Sequence, residues 1–312
     1  MKIGLDIMGG DYAPQATVLG AIAAYEALSE KEQLVLIGDK EIAVSILQEN
    51  NFNPDHFEYI HTTEVIGMGE HPTKAVVQKP NSSISVGFQL LKEGNIQTFA
   101  SAGNTGAMLV GSLFSVKAIP GVLRPAMTAI APKLKGGLNI LLDVGANADC
   151  KPEHLLQFGI LGSLFAESIY NITTPRVALM NIGEEEEKGN ILSQATYPLM
   201  KQTQSFNFVG NVEGRDLFGD HSDVIVCDGF TGNVVLKMAE SFYVVALKKN
   251  FKDDFFDRLN YEQYGGSPIL GVNAPVVVGH GISTPKAIKN MVLLSRDMAQ
   301  SGLVDKIKQA FQ

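Results

Sequence analysis

The chain has 312 residues, no tryptophan and two cysteines, Cys150 and Cys227. Two cysteines without C-x-x-C spacing argue against a disulfide framework and against a zinc site built on thiolates, and they are typical of a reducing cytoplasm. The N-terminus lacks the apolar core of a signal peptide. Residues 98–116 are uncharged, but their Ser, Asn and Gly residues favour a strand, a turn and a buried helix over a membrane span. We therefore predict a cytoplasmic protein.

Basic residues are also scarce. The chain carries 25 Lys and Arg against 33 Asp and Glu, a net charge of −8 at pH 7. Proteins that bind nucleic acid present a basic face, so this balance argues against nucleic acid as a partner.

Several catalytic signatures are missing. The sequence contains no Gly-x-Ser-x-Gly elbow, Walker A motif, His-Glu-x-x-His or Gly-x-Gly-x-x-Gly fingerprint. Their absence argues against a serine or cysteine nucleophile and against a dinucleotide-binding dehydrogenase. We predict no cofactor and assign no residue as a metal ligand, and we make no prediction about metal dependence.

What the chain does contain is an alternation of short apolar runs with longer helical segments. This alternation predicts an α/β protein with a mostly parallel sheet and helices on both faces. We expect Asp11 to cap the first helix, residues 66–83 to be mainly loop, and a strand to end before Gly210. In such sheets, ligands bind beyond the carboxyl ends of the strands.

The most informative stretch is Leu138–Gly159. It reads as a buried strand, a tight turn with Asp143 and Asn147, and a helix that begins at Pro152. Side chains and free N–H groups at a strand end and a helix start can surround a small anion. We expect several similar turns to converge on one site that handles phosphate. They include Gly9-Gly10-Asp11, Ser101–Gly106 and Asp228–Asn233.

Two further features stand at predicted strand ends. Four acids, Glu184–Glu187, precede Lys188-Gly189-Asn190. Such a run is usually a solvated face, although one acid can point into a crevice. Lys188 and His280 are each candidates for binding phosphate or for protonating a leaving group, and each is equally well explained as a structural residue.

Residues 242–259 combine an apolar stripe with basic flanks, Lys248, Lys249, Lys252 and Arg258. The segment is a candidate amphipathic helix. It fits packing on a core or on a second subunit, and it also fits a membrane interface.

Seven motifs lie in order along the whole chain. They are Asp6–Asp11, Ser101–Gly106, Leu142–Asn147, Asn181–Asn190, Gly210–Gly214, Cys227–Asn233 and His280-Gly281. Together they resemble the fatty acyl-carrier-protein:phosphate acyltransferases of bacterial phospholipid synthesis. The chain departs from that family at Ala75–Lys79, which lacks an arginine, and after Gly281, where only Ser283 and Thr284 represent a Ser-rich stretch.

The resemblance implies a three-layer α/β/α fold similar to isocitrate and isopropylmalate dehydrogenases, as a single unit of residues 1–312 with two lobes around a cleft. It implies transfer of a long-chain acyl group from acyl-carrier protein to inorganic phosphate, by a homodimer that associates peripherally with the membrane.

We predict that Lys188 or His280 acts on the phosphate or the thiolate, and that Asp143 and Asp228 orient these cations. The predicted binding residues are Asp6, Gly9, Gly10, Asp11, Ser101, Gly103, Asn104, Thr105, Gly106, Asn147, Glu185, Asn190, Gly232 and Asn233. Two alternatives remain, a short-chain phosphate acyltransferase that uses acyl-CoA and a non-catalytic module that binds acyl chains or carrier protein.

Overall fold

The computed structural model describes residues 1–312 and divides into two compact units. Unit 1 comprises Met1–Ala118 and Glu262–Gln300, and unit 2 comprises Ile119–Tyr261 and Ser301–Gln312. The strands are β1 Lys2–Asp6, β2 Gln33–Gly38, β3 Glu58–His61, β4 Thr98–Ser101, β5 Ala126–Pro132, β6 Leu138–Leu142, β7 Arg176–Met180, β8 Asn207–Val212, β9 Val224–Val226, β10 Ser267–Leu270 and β11 Val276–Val278. The α-helices are α1 Gln15–Tyr25, α2 Lys40–Glu49, α3 Pro72–Gln78, α4 Ser83–Glu93, α5 Thr105–Gly111, α6 Pro152–Tyr170, α7 Ile191–Gln202, α8 Gly229–Lys248, α9 Asp254–Arg258, α10 Pro285–Gln300 and α11 Leu303–Ala310.

The strands of unit 1 follow the order β3-β2-β1-β4-β11-β10. All neighbours are parallel except β10 and β11, which are antiparallel. The carboxyl ends of β1, β4 and β11 therefore lie side by side, at Asp6, Ser101 and Val278. The loops that follow these three strands begin at one edge of the sheet.

The strands of unit 2 follow the order β5-β6-β9-β7-β8. β6, β9, β7 and β8 are parallel, and only β5 runs antiparallel to β6. The ends of β6, β9 and β7 are adjacent, at Leu142, Val226 and Met180. The predicted α/β class with a mostly parallel sheet is confirmed.

Local chemistry explains several helix boundaries. The Ser82 hydroxyl accepts a hydrogen bond from Ser85 N at the start of α4, and Gly94 ends that helix with φ of 76°. This left-handed conformation favours glycine, so serine and glycine at these positions account for both ends of α4. The helix predicted to begin at Pro152 is α6.

Residues 66–83 are mainly loop, as predicted, although they contain helix α3, where Pro72 occupies the first turn and supplies the required φ. Two local expectations were wrong. Asp11 does not cap α1, which begins after Pro14 without a side-chain cap. β8 continues through Gly210 to Val212. β10 was not predicted, since its proline at position 268 disfavours a strand assignment.

The segment 242–259 is not one amphipathic helix. α8 ends at Lys248 and α9 begins at Asp254, with Asn250 at a φ of 51° between them. A residue at that φ interrupts a right-handed helix, so Leu247 and Phe255 do not share one continuous stripe. None of the helices in the structure has both the length and the apolar character needed to span a bilayer.

A buried ion cluster lies where unit 2's strands begin, away from their carboxyl ends. Lys133 Nζ lies 2.7 Å from Asp223 Oδ1 and 3.1 Å from Asp220 Oδ1. Arg176 Nε donates to Asp223 Oδ2 at 2.9 Å. Burial alone would raise the pKa of Asp223, but the hydrogen bonds from Arg176 and Lys133 hold that pKa well below its usual value.

We expect Lys133→Met to lower the free energy of unfolding by about 3 kcal/mol at pH 7, because it removes one partner from a buried ion cluster. Lys201→Met is the matched control, since its pair with Glu186 is exposed and such pairs contribute about 0–1 kcal/mol. Urea unfolding measures both variants.

The pKa of Asp223 also sets the pH dependence of this difference. The folded-state pKa lies below the unfolded value near 3.8. The stabilisation is therefore fully present above the unfolded value and is lost as the pH falls from that value through the folded-state pKa. The difference between wild type and Lys133→Met should therefore shrink below about pH 4. Equal losses for the two lysine variants at pH 7 would contradict the account.

Candidate functional site

The side chain of Asp143 organises the loop that follows β6. It is fully buried, and its Oδ1 accepts hydrogen bonds from Met127 N at 2.9 Å and Ala146 N at 3.1 Å. Its Oδ2 accepts from the backbone and side-chain nitrogens of Asn147 at 2.6 and 2.9 Å. Burial raises the pKa of Asp143, although these hydrogen bonds act in the opposite direction. The carboxyl group thus ties the turn after β6 to strand β5 and acts as a positioning group.

The start of α8 packs directly against this loop. Gly229 N donates to the Asn147 carbonyl at 2.8 Å, and Asn233 Nδ2 donates to the Val144 carbonyl at 3.2 Å. A Cβ atom at Gly232 would overlap the Asp143 carbonyl oxygen. Glycine at position 232 is therefore required for the close approach of helix and turn. Asn147, Gly232 and Asn233, three predicted binding residues, lie together.

Asp228 forms the N-cap of α8. Its Oδ1 accepts from Thr231 N at 2.9 Å, and its Oδ2 accepts from the Thr231 hydroxyl at 2.8 Å. Asp228 and Asp143 therefore accept from backbone, amide and hydroxyl donors rather than from the side chains of Lys188 or His280. The sequence indicated both carboxylates but not these partners, which only tertiary contacts define.

The acidic loop between β7 and α7 is held by amide side chains. Asn181 Nδ2 donates to the Lys188 carbonyl at 3.1 Å, and Asn211 Nδ2 donates to the Glu185 carbonyl at 2.9 Å. Asn190 caps α7 by accepting from Ser193 N. Glu185 and Lys188 are exposed. Sequence reasoning did not identify Asn211 as a loop-holding residue, although it lies in the motif Gly210–Gly214.

A cavity of about 420 Å³ lies in unit 2 between the loops that follow β7 and β9. Its lining residues are Leu155, Met180, Asn181, Ile182, Gly189, Asn190, Leu192, Ser193, Gly214, Cys227, Asp228 and Thr231. The loop carrying Lys188 and the N-terminus of α8 therefore border the same space.

In unit 1, Asp6 occupies a position at the end of β1 that is similar to that of Asp143 in unit 2. It is fully buried, and it accepts from the Ser101 hydroxyl at 2.6 Å and from Met8 N at 2.9 Å. Burial raises the pKa of Asp6, while bonds from Ser101, Ser83, Met8 and Gly9 act to lower it.

The turns after β1, β4 and β11 are in close contact. A Cβ atom at Gly9 would lie 2.6 Å from Gly103 N, so only glycine fits there. Asp11 N donates to the Gly281 carbonyl at 2.7 Å, and Gly10 faces the same carbonyl. His280, which precedes Gly281, is half-buried. Unit 1 thus brings together Asp6, Gly9, Gly10, Asp11, Ser101, Gly103 and His280.

Asn104 has a structural role in the loop after β4. Its Nδ2 donates to the carbonyls of Gly67, Met68 and Glu70 at 3.0–3.1 Å, and its Oδ1 caps α5 through Ala107 N. Thr105 is exposed at the first position of α5, and Gly106 packs under Pro72. This use of the Asn104 amide could not be predicted from local sequence, since its partners are more than 30 residues away along the chain.

Neither cysteine has the properties of a nucleophile. Burial, with the nearby Asp143 and Asp228 charges, raises the pKa of Cys150 to about 12. Cys227 is buried, and its pKa is raised in the same way. Since the thiolate is the reactive form, both thiols remain protonated at neutral pH. No group of three or more His, Cys, Asp or Glu side chains is arranged to hold a metal ion.

Comparisons with known proteins agree with these motifs. A family model described as fatty acid synthesis protein matches residues 1–306. A phosphate acyltransferase from Dictyoglomus turgidum is 44% identical over 98% of this chain and 96% of its own length. The chain belongs to the phosphate acyltransferase family. It is therefore an enzyme of the acyltransferase class, and the predicted family is confirmed. A phosphate acyltransferase from Pelotomaculum thermopropionicum is also 44% identical, over 100% of this chain and 95% of its own length.

Solved structures of similar fold are more distant in sequence. A phosphotransacetylase from Streptococcus pyogenes superposes with a TM-score of 0.67 at 15% identity, covering 96% of this chain and 94% of its own. A 4-hydroxythreonine-4-phosphate dehydrogenase from Burkholderia phymatum gives 0.52 at 14% identity, covering 96% and 98%. At such identities the likeness concerns the fold alone, and it confirms the predicted fold class.

We expect Asp143→Asn to lower the free energy of unfolding by about 2 kcal/mol or more, because an amide leaves at least one buried N–H donor without an acceptor. The same change should reduce acyl transfer at least tenfold by releasing the turn from α8. Asp149→Asn, at an exposed position of the same loop, is the control. Urea unfolding and initial rates measure both effects, and a fully stable Asp143→Asn protein would contradict them.

Proposed function

We propose that the enzyme transfers a long-chain fatty acyl group from acyl-acyl-carrier protein to inorganic phosphate and produces acyl phosphate. The family supports an acyl transfer with phosphate as acceptor. The observation that carries the proposal is the packing of the Asp143 turn against the start of α8. This packing places Asn233 in the second turn of α8, near the helix N-terminus, where the helix dipole favours an anion.

Phosphate serves as the nucleophile in this reaction. One of its oxygens attacks the thioester carbonyl carbon, the new C–O bond forms, the C–S bond breaks, and the departing thiolate takes up a proton. The protonated thiols of Cys150 and Cys227 support a direct transfer without an enzyme nucleophile. Alignment of the two reactants can contribute roughly 7–11 kcal/mol.

In this proposal Lys188 neutralises the phosphate or protonates the thiolate, and His280 remains the second candidate for that role. Glu185 and Asn190 belong to the loop that carries Lys188, and Asn181 fixes the Lys188 carbonyl. Asp143 and Asp228 act as positioning residues, because they hold the turn and the helix start.

A short-chain phosphate acyltransferase that uses acyl-CoA is the second candidate. The fold shared with phosphotransacetylases favours it. Comparing a long-chain acyl-carrier-protein donor with acetyl-CoA distinguishes the two, since the main proposal requires much faster turnover of the former.

We expect Lys188→Ala and Asn233→Ala each to reduce turnover of acyl-carrier protein plus phosphate at least 100-fold, because each removes a donor to the reacting anion. The wild-type melting temperature should be retained for Lys188→Ala, whose side chain is exposed. Lys135→Ala, on an exposed turn of the same unit, is the control. Unchanged turnover in both Lys188→Ala and Asn233→Ala would refute the assigned roles.

We also propose peripheral association with the membrane, as a homodimer. Supporting this, α8 exposes Val234, Met238 and Val245 to between 52% and 59%. Lys248 and Lys249 follow this apolar face at the end of the helix. Lysine beside exposed apolar residues suits an anionic lipid surface. Arg258 donates to the Lys133 carbonyl at 2.8 Å, so it contributes to the fold.

We expect the double variant Lys248→Glu/Lys249→Glu to bind anionic vesicles at least tenfold more weakly than wild type in a sedimentation assay, because it reverses charge at the lipid surface. Lys31→Glu/Lys92→Glu changes the same charge at exposed positions of unit 1 and should bind normally. Affinity for acyl-carrier protein is measured in parallel. A loss of carrier binding with unchanged vesicle binding would assign the two lysines to the carrier protein instead.

A further inference from the structure

The cavity of unit 2 has the size of a small-molecule site. Its volume of about 420 Å³ falls within the roughly 300–1,000 Å³ that is usual for ligand pockets. It lies between the end of β7, the start of α7 and the start of α8. No lysine, arginine or histidine lines it. An anion such as phosphate would therefore find no positive side chain inside.

The polar side chains of the lining are already engaged with one another or with the backbone. Asn181 donates to the Lys188 carbonyl and accepts from Ile182 N. Asn190 accepts from the backbone and hydroxyl of Ser193. Both oxygens of Asp228 accept from Thr231. The cavity consequently offers a ligand few unsatisfied polar side-chain groups.

The remaining side chains of the lining are apolar. Leu155 and Met180 are buried, at 2% and 8% exposure, and Leu192 is half-buried at the start of α7. Ile182 is 79% exposed although it belongs to the lining. Ile182 therefore lies at the solvent-exposed edge of the lining.

We propose that this cavity binds the alkyl chain of the acyl donor. The inference rests on the proposed function and adds a subsite to it. Leu155, Met180 and Leu192 contact the methylene groups, because burial of apolar surface is favourable there and few polar side-chain groups of the lining lack a partner.

The location of the cavity suits an acyl chain whose carbonyl end must meet phosphate. The lining includes Asp228, which is the N-cap of α8, and Thr231, which lies in its first turn, and Asn233 follows in the next turn. A chain within the cavity therefore holds its carbonyl end toward the helix N-terminus. Chain length and phosphate binding are then governed by different residues of one unit.

To test this, we substitute tryptophan in the lining to narrow the cavity. Turnover is then measured with a series of acyl-acyl-carrier-protein donors whose chains increase in length from butanoyl to hexadecanoyl. For Leu192→Trp we expect at least a tenfold loss of kcat/KM with hexadecanoyl donor and less than a twofold change with butanoyl donor. Ile191→Trp is the matched control, because Ile191 is 89% exposed and absent from the lining. Its profile should equal that of wild type.

Ile182→Trp is a second cavity variant, which keeps the test valid if Leu192→Trp misfolds. Its own folding should be unaffected, since the exposed side chain of Ile182 contributes little to the core. It should shift the profile in the same direction. As a readout besides activity, binding of the fluorescent fatty acid cis-parinaric acid should weaken at least fivefold in both cavity variants and not in Ile191→Trp.

The outcomes separate the two proposals. If wild type forms acyl phosphate but both cavity variants keep its chain-length profile, the subsite is refuted and the proposed function stands. If the cavity variants lose activity equally with every chain length, the cavity binds the carrier's pantetheine arm, and the alkyl subsite is again refuted. If wild type forms no acyl phosphate from any donor, the proposed function fails.

Discussion

The buried carboxylate of Asp143 is the constraint on which the geometry of unit 2 depends. Each of its oxygens accepts two hydrogen bonds, and the donors are Met127 of strand β5 and the turn that follows Asp143. Burial raises the pKa of this carboxyl group, and the four hydrogen bonds act in the opposite direction by stabilising its charged form. The turn that results leaves room for α8 only where position 232 lacks a side chain. The position of α8 therefore depends on the conformation of the Asp143 turn and on glycine at position 232.

This arrangement separates the tasks of the proposed reaction among neighbouring elements. The start of α8 supplies the positive end of the helix dipole, which favours an anion, together with the Asn233 amide. The loop before α7 supplies Lys188. The cavity between them combines apolar side chains with polar groups that are largely hydrogen-bonded, and no positive side chain lines it. A reaction in which phosphate is the nucleophile requires alignment and charge stabilisation more than covalent chemistry. One donor aimed at the developing oxyanion contributes about 3–4 kcal/mol.

Much of the fold and part of the site could be predicted from the sequence. Apolar runs and boundary residues such as Ser82 and Gly94 are local signals, and they gave the correct strands and helices around most turns. The prediction also grouped Asn147 and Asn233 correctly, because strand ends in a parallel sheet are neighbours. The partners of Asp228 and Asn104 could not be predicted, since a side chain's hydrogen bonds depend on tertiary contacts. The break between α8 and α9 was missed because apolar spacing alone does not reveal a positive φ at Asn250. That the turns of both units serve one phosphate stays a prediction.

The most direct test of the account is a crystal structure of the enzyme with bound inorganic phosphate. We predict that the anion lies at the start of α8, with Asn233 Nδ2 and Lys188 Nζ each about 2.7–3.2 Å from a phosphate oxygen. Binding of phosphate at a position that neither side chain can reach, with the Asp143 turn intact, would contradict the central claim.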